Sequence, residues 1–244
     1  MIICHPDDIP ASPLDLERLG EEFSLNTTGL SGMYKVKVPE TAPLTRRQFE
    51  EASKYWPVSF HEDKRIAKLL KGTDVFTDAE LQQIHSNMGR AINMAEKAKA
   101  KGQVPVGAVA VSPSTNQVLA ESHDYRYGDN ILHHAVMTCV DMVARSQGGG
   151  AWRFPEDTDF VAQSDTSSDG YLCTNYDIYT TREPCVMCAM SLLHSRVQRV
   201  FYGKQQASGA LGSCYKLHVQ AGLNHHYEVF RGVQEAQCHK LEDT

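Results

Sequence analysis

Two cysteines three positions apart, directly behind a proline, constrain this chain more than any other feature. Pro184, Cys185, Val186, Met187 and Cys188 follow the run Tyr176 to Thr181, whose aromatic and β-branched residues read as a strand. Proline suits the first turn of a helix, so the pair sits where that strand turns into a helix from about Cys185 to Ser195. Both sulfurs then face one point at the positive end of the helix dipole, where thiolates are favoured. A lone pair of this kind also serves redox centres and zinc ribbons, but no second pair completes a four-cysteine site. The further ligand must come from elsewhere. A lone histidine is often a core or surface residue, yet His134, in the string His133, His134, Ala135, Val136, opens the preceding predicted helix. Catalytic zinc centres commonly use three protein ligands, and His134, Cys185 and Cys188 together predict one zinc ion per chain.

The remaining periodicities build a domain around that junction. From Asp78 to Lys101, Leu81, Ile84, Met88, Ile92 and Ala95 step by three or four, an amphipathic helix that Gly102 closes. Val104 to Val111 and Gln117 to Ser122 read as a hairpin joined by the turn formers Ser112 to Asn116. A helix follows from about His133 to Ser146, and a strand from Val197 to Tyr202 comes after the cysteine helix. Alternation after a hairpin predicts an α/β fold, a mixed sheet with helices on its faces. Gln147 to Gly170, with its GGG and Ser/Asp-rich text, reads as a mobile surface insertion. Ahead of residue 75 the pattern changes. Met33 to Val38 predicts a short strand; Thr45 with Gln48 forms a capping-box pattern, and Phe49, Ala52, Tyr55 and Trp56 recur at helical spacing until Pro57. The expected organisation is a small α+β domain over residues 1–75, then a zinc-binding domain over 76–244 with its insertion at about 147–170.

Composition narrows the function. A net charge of −6 over 244 residues excludes a generic nucleic-acid coat, so any basic surface must be local. The opening MIICHPDDIP has acids and no long apolar run, and reads neither as a signal peptide nor as a membrane span. An intracellular, soluble protein is expected. Seven cysteines, an odd number in a chain this long, suit thiols and metal ligands better than a secreted disulfide framework.

These residues carry a resemblance. H-x-E followed by P-C-x-x-C is the signature of zinc nucleobase deaminases, and this chain has His134, Ala135, Val136 and then Pro184, Cys185, Cys188. VPVGAVAV at Val104 to Val111, TTREPCVMCAMSLLHSRVQRVFYG at Thr180 to Gly203, GALGS at Gly209 to Ser213 and LNHHYEVFRGV at Leu223 to Val233 look like the tRNA adenosine deaminases. With PLTRRQFEEASKYWPVSFHEDK at Pro43 to Lys64, and valine where the signature has glutamate, the chain resembles the non-catalytic subunit of the eukaryotic heterodimeric enzyme that converts wobble adenosine to inosine in tRNA. The resemblance implies a cytidine-deaminase-like three-layer α/β/α sandwich with a mixed sheet behind the small N-terminal domain. It also implies a catalytic deaminase subunit and tRNA as partners, and a place in nucleus and cytoplasm.

Val136 decides the chemistry. A zinc centre activates water, but a carboxylate must carry the protons, and losing a general acid/base typically forfeits ~10²- to 10⁴-fold. Catalytic residues are therefore expected to be absent. Glu183, beside the cysteines, is the alternative carrier, although the carboxylate that serves a zinc-bound water must reach it from the opposing helix, the one His134 opens. Asp124 and Asn130 stand in the loop where catalytic relatives present an asparagine to the base, so base contacts are also altered. For tRNA, Arg46 to Lys71 holds seven Lys/Arg against four Asp/Glu, with Tyr55, Trp56 and Phe60 among them. Arg46, Arg47, Lys64 and Lys68 are the expected phosphate contacts; the bland reading is a solvated basic face over the unit's own aromatic core. A self-sufficient nucleoside or base deaminase with another proton carrier is the alternative function. A zinc-stabilised scaffold without an editing role is a third. Finally, Cys238 to Thr244 is rich in ligand types and could fold back as a fourth zinc ligand, against the commoner outcome of a solvated terminus.

Overall fold

The computed structural model describes residues 38–39, 41–71, 75–165 and 170–242. The chain divides into two units, Met1–Val75 and Phe76–Thr244.

In the first unit, helix α1 (Arg46–Ala52) begins where Thr45 and Gln48 close a reciprocal capping box. Thr45 Oγ1 accepts from the Gln48 N–H at 3.2 Å, and Gln48 Oε1 accepts from the Thr45 N–H at 3.2 Å. The helix ends before Tyr55 and Trp56, which lie in a turn. A second helix, α2 (Lys64–Lys71), was not legible in the apolar spacing. Most of the expected strand, Met33 to Lys37, lies outside the described residues.

The second unit is a three-layer sandwich. Helix α3 (Asp78–Ala100) starts at a second capping box, Thr77 with Glu80. It leads into the hairpin β1 (Gly107–Ser112) and β2 (Gln117–His123), then α4 (Ala135–Ser146), β3 (Val161–Ala162), β4 (Asp177–Arg182), α5 (Val186–His194), β5 (Arg199–Lys204), β6 (Glu228–Arg231) and α6 (Glu235–Lys240). The sheet order is β3-β2-β1-β4-β5-β6. The strands from β3 to β4 pair antiparallel, and β4, β5 and β6 run parallel. Period-two alternation assigns each strand residue to a layer. Ala108, Ala110, Ile178, Val200 and Tyr202 pack with α4 and α5 through Val136, Cys139, Ala189 and Leu192. Val109, Val111, Tyr179 and Phe201 face Ile84, Met88, Ala91 and Ala95 of α3 and Cys238 of α6. With helices on both faces, β1 is buried along its whole length, hence its unbroken apolar text.

Strand β1 starts three residues later than the expected Val104. A Cβ on Gly107 would lie 2.0 Å from the Ala91 carbonyl oxygen, so only glycine lets the α3 backbone press this closely onto the strand. The insertion corrects the expectation of a mobile loop, because its described part is anchored. Trp152 and Phe154 pack on the His133 ring at 4.7 and 4.8 Å, Phe160 packs on His123 at 4.8 Å, and Ala162 pairs with Ala120 of β2. Three aromatics spaced through a polar stretch supply that anchoring. Residues 166–169 lie outside the described residues.

Candidate metal centre and its cleft

The candidate metal site lies where two helices begin side by side. His134 is the N-cap of α4 and Cys185 the N-cap of α5, both with extended backbone. His134 Nδ1 stands 3.6 Å from Cys185 Sγ and 3.7 Å from Cys188 Sγ, and all three ligand atoms lie within 4.8 Å of one another. A tetrahedral zinc with ordinary Zn–N and Zn–S bonds places such atoms about 3.6 Å apart, so the donor set, its chemistry and its spacing fit that ion. The expected three residues are thus brought together. The Cys188 thiol, bonded to Cys185, pulls the Cys185 pKa down to about 3, with His134 adding to the effect. The same bond and burial push the Cys188 thiol up, so one thiolate is already prepared for a metal.

Val136, one residue into α4, is 3% exposed and lines the cleft beside the metal cluster. Among the described residues of the cleft, no proton carrier replaces the missing carboxylate. Glu183 is buried and fully engaged in another direction: its carboxylate accepts the N–H groups of Gln206 at 3.0 Å, Leu211 at 3.0 Å, Gly212 at 2.7 Å and Ser213 at 3.1 Å, with the Ser213 hydroxyl also within hydrogen-bonding distance. Burial pushes its pKa up, but these donors outweigh burial and leave the carboxyl below its ordinary range. Glu183 organises the loop after β5. A Cβ on Gly209 would lie 2.0 Å from its carboxyl carbon, which explains the glycine at the head of GALGS.

Asp124 is completely buried and gripped by Arg126, while Asn130 is spent on its own turn, its side-chain oxygen accepting the Leu132 N–H at 2.9 Å. Arg126 and Arg182, which also line the cleft, were not legible in the sequence because no motif spacing marks them. The C-terminal segment corrects the idea that Cys238 or His239 approaches the metal. Helix α6 buries Cys238 against the face of the sheet that α3 covers, and His239 sits 3.6 Å from Glu235. Glu242 pairs with Arg182 and Lys204, and Asp243 and Thr244 lie outside the described residues.

In the N-terminal unit Arg46, Arg47, Lys64 and Lys68 are all exposed, with Arg47 paired to Glu51 at 3.2 Å. Lys64 and Lys68 share one face of α2 by their i,i+4 spacing. Phe49 stacks on Phe60 at 5.1 Å, so these two rings are spent on the unit's own packing, whereas Tyr55 is exposed.

Comparison with known proteins agrees with this geometry. Residues 81–204 match the model of the cytidine and deoxycytidylate deaminase zinc-binding region. The "Probable inactive tRNA-specific adenosine deaminase-like protein 3" of Danio rerio is 44% identical over 99% of this chain and 74% of its own length. The "tRNA-specific adenosine deaminase subunit tad3" of Schizosaccharomyces pombe is 34% identical over 95% of this chain and 68% of its own length. A solved structure from biochemical and structural studies of A-to-I editing by tRNA:A34 deaminases at the wobble position of transfer RNA superposes with TM-score 0.52 and 25% identity, covering 64% of this chain and 98% of that one.

Proposed function

The chain belongs to the cytidine and deoxycytidylate deaminase zinc-binding family, among the inactive tRNA-specific adenosine deaminase-like proteins, and from that membership we propose that it is the non-catalytic subunit of a heterodimeric tRNA adenosine deaminase acting on the wobble base. The observation that carries this reading is Val136, an apolar side chain lining a cleft whose metal-ligand set is otherwise complete. With no carboxylate at that position, Glu183 tied to its loop and Asp124 paired with Arg126, no described carboxylate of the cleft is left to move protons to and from a base. The reacting site therefore belongs to a catalytic partner subunit, and this chain contributes structure and tRNA binding.

His134, Cys185 and Cys188 would hold one zinc ion per chain. When bound, the ion supplies a positive centre that ties the first turns of α4 and α5 together, a structural use that needs no base. No helix among the described residues is long and apolar enough to cross a membrane, and nucleus and cytoplasm are the expected compartments for work on tRNA.

The test is reconstitution. The pure chain should show no conversion of wobble adenosine, whereas the chain with its catalytic partner should be active. Val136→Glu in the partner-free chain should leave it inactive. Turnover by the pure wild-type chain would overturn the reading and favour the self-sufficient alternative.

We assign tRNA binding to the exposed cations of the N-terminal unit. Replacing Arg46, Arg47, Lys64 and Lys68 together by alanine should weaken tRNA affinity and flatten its salt dependence, by roughly 0.7–0.9 in log–log slope for each phosphate no longer neutralised. Filter binding across a salt series measures both quantities. Unchanged affinity and slope in an intact dimer would reduce the segment to a solvated face.

A further inference from the structure

We infer that the Asp124–Arg126 ion pair is a second lock on the cleft, independent of Val136, which excludes a nucleobase from this subunit even where a proton carrier is restored. The inference rests on the reading of the chain as a non-catalytic deaminase subunit, and explains why one substitution would not return it to activity.

The first observation is volume. The cleft that Val136 and the metal-ligand residues line encloses about 60 Å³, whereas pockets that take small organic ligands enclose ~300–1,000 Å³. A few water molecules fit. A purine does not. Asp124 and Arg126 line this same space as a directly bonded ion pair, with Arg182 and Glu183 also on its wall but paired elsewhere.

The second observation is that the pair has little freedom to swing aside. Asp124 follows directly on β2, its N–H donating to the Val106 carbonyl at 2.9 Å and its own carbonyl lying 2.8 Å from the His123 ring. Its side chain is fully buried. The Arg126 Nε and Nη2 groups donate to the two carboxylate oxygens at 2.8 and 2.5 Å, and the Arg126 backbone N–H adds a third bond at 3.2 Å. Such a two-pronged pair is among the stronger and more directional polar contacts in proteins. Were Arg126 to swing out and widen the space, a buried carboxylate would be left without its partner, which is strongly unfavourable. The Arg126 side chain itself is only a quarter exposed. A mobile surface arginine would open at little cost; this one is bound to the buried charge it neutralises.

The test removes both charges together, so that neither is stranded, and asks whether room for a base appears. Purine riboside is titrated by calorimetry into the zinc-loaded full chain, wild type and Asp124→Asn/Arg126→Ala. Asp124→Ser/Arg126→Gln, which retains hydrogen-bonding groups, accompanies it in case the first variant folds poorly. The wild type should show no saturable binding, and the folded double variants should bind at least about tenfold more tightly than the wild type's detection limit, a difference of ~1.4 kcal/mol or more. Binding by the wild type equal to that of the variants overturns the lock, as does a folded, zinc-loaded variant that still takes no purine. Failure of both variants to fold also overturns it, by assigning the pair to fold stability alone. Editing by the wild-type heterodimer is measured separately and tests only the underlying assignment.

Discussion

Cys185→Ala should lower bound zinc from the proposed one ion per chain to near zero and shift thermal unfolding markedly downward. The substitution leaves His134 and Cys188, two donors on two different helices, where three now lie within 4.8 Å of one another. Zinc bound at a structural site contributes ~10–16 kcal/mol in small zinc-dependent peptides, so losing even part of that free energy is large beside the ~5–15 kcal/mol that holds a typical domain folded. The effect concentrates on α4 and α5, whose first turns the ion would join and whose side chains Val136, Cys139, Ala189 and Leu192 build one core layer. Metal analysis together with unfolding curves, with and without chelator, measures both parts. Cys214→Ser, which changes an exposed thiol outside the cluster, serves as the control and should keep its zinc. An unaltered zinc content in Cys185→Ala would remove the assignment of His134, Cys185 and Cys188.

Glu183→Ala should cost at least about 3 kcal/mol, because it strands several donors at once rather than one, and each buried unsatisfied group costs ~1–3 kcal/mol. Four backbone N–H groups between Gln206 and Ser213 converge on this single carboxylate. Glu183→Gln keeps one acceptor oxygen but loses the charge, and should fall between wild type and alanine. The carboxyl sits below its ordinary value of 4.5, so the stability it contributes is present in full above that pH and is lost as pH falls through the lower folded-state value. The acid limb of the stability profile should therefore flatten in Glu183→Gln. Urea denaturation from neutral pH down through the acid limb decides it. A loss below about 0.5 kcal/mol, the ordinary range for surface changes, would mean the loop after β5 holds itself.

Much of the fold was legible because it repeats a local pattern. The Leu81 to Ala95 spacing placed α3 correctly, the Thr45 and Gln48 box placed the start of α1, and the proline before Cys185 placed the strand-to-helix junction. Each is a relation between residues at most a few positions apart, so the sequence displays both halves of it. The short elements were not legible. Strand β6 has four residues and β3 two, too few for any period, and both exist because a neighbouring strand offers hydrogen bonds. The insertion was misread for the same reason: its polar text conceals three aromatics whose partners, His123 and His133, lie far away along the chain.

The sequence by itself determined the chemistry that this chain can and cannot perform. The identities of His134, Cys185 and Cys188 offer a donor set of the kind zinc takes, and Val136 removes the proton carrier at its position, because a hydrocarbon side chain cannot hold a proton in any conformation. Only the tertiary structure decided where the remaining charged groups are spent. Glu183, two residues ahead of Cys185, is turned into the loop after β5, and Asp124 is bound to Arg126 on the wall of the cleft. A carboxylate's role depends on which donors surround it, and for Glu183 those donors come from residues distant in sequence that meet only once the sheet and its two helix layers have packed.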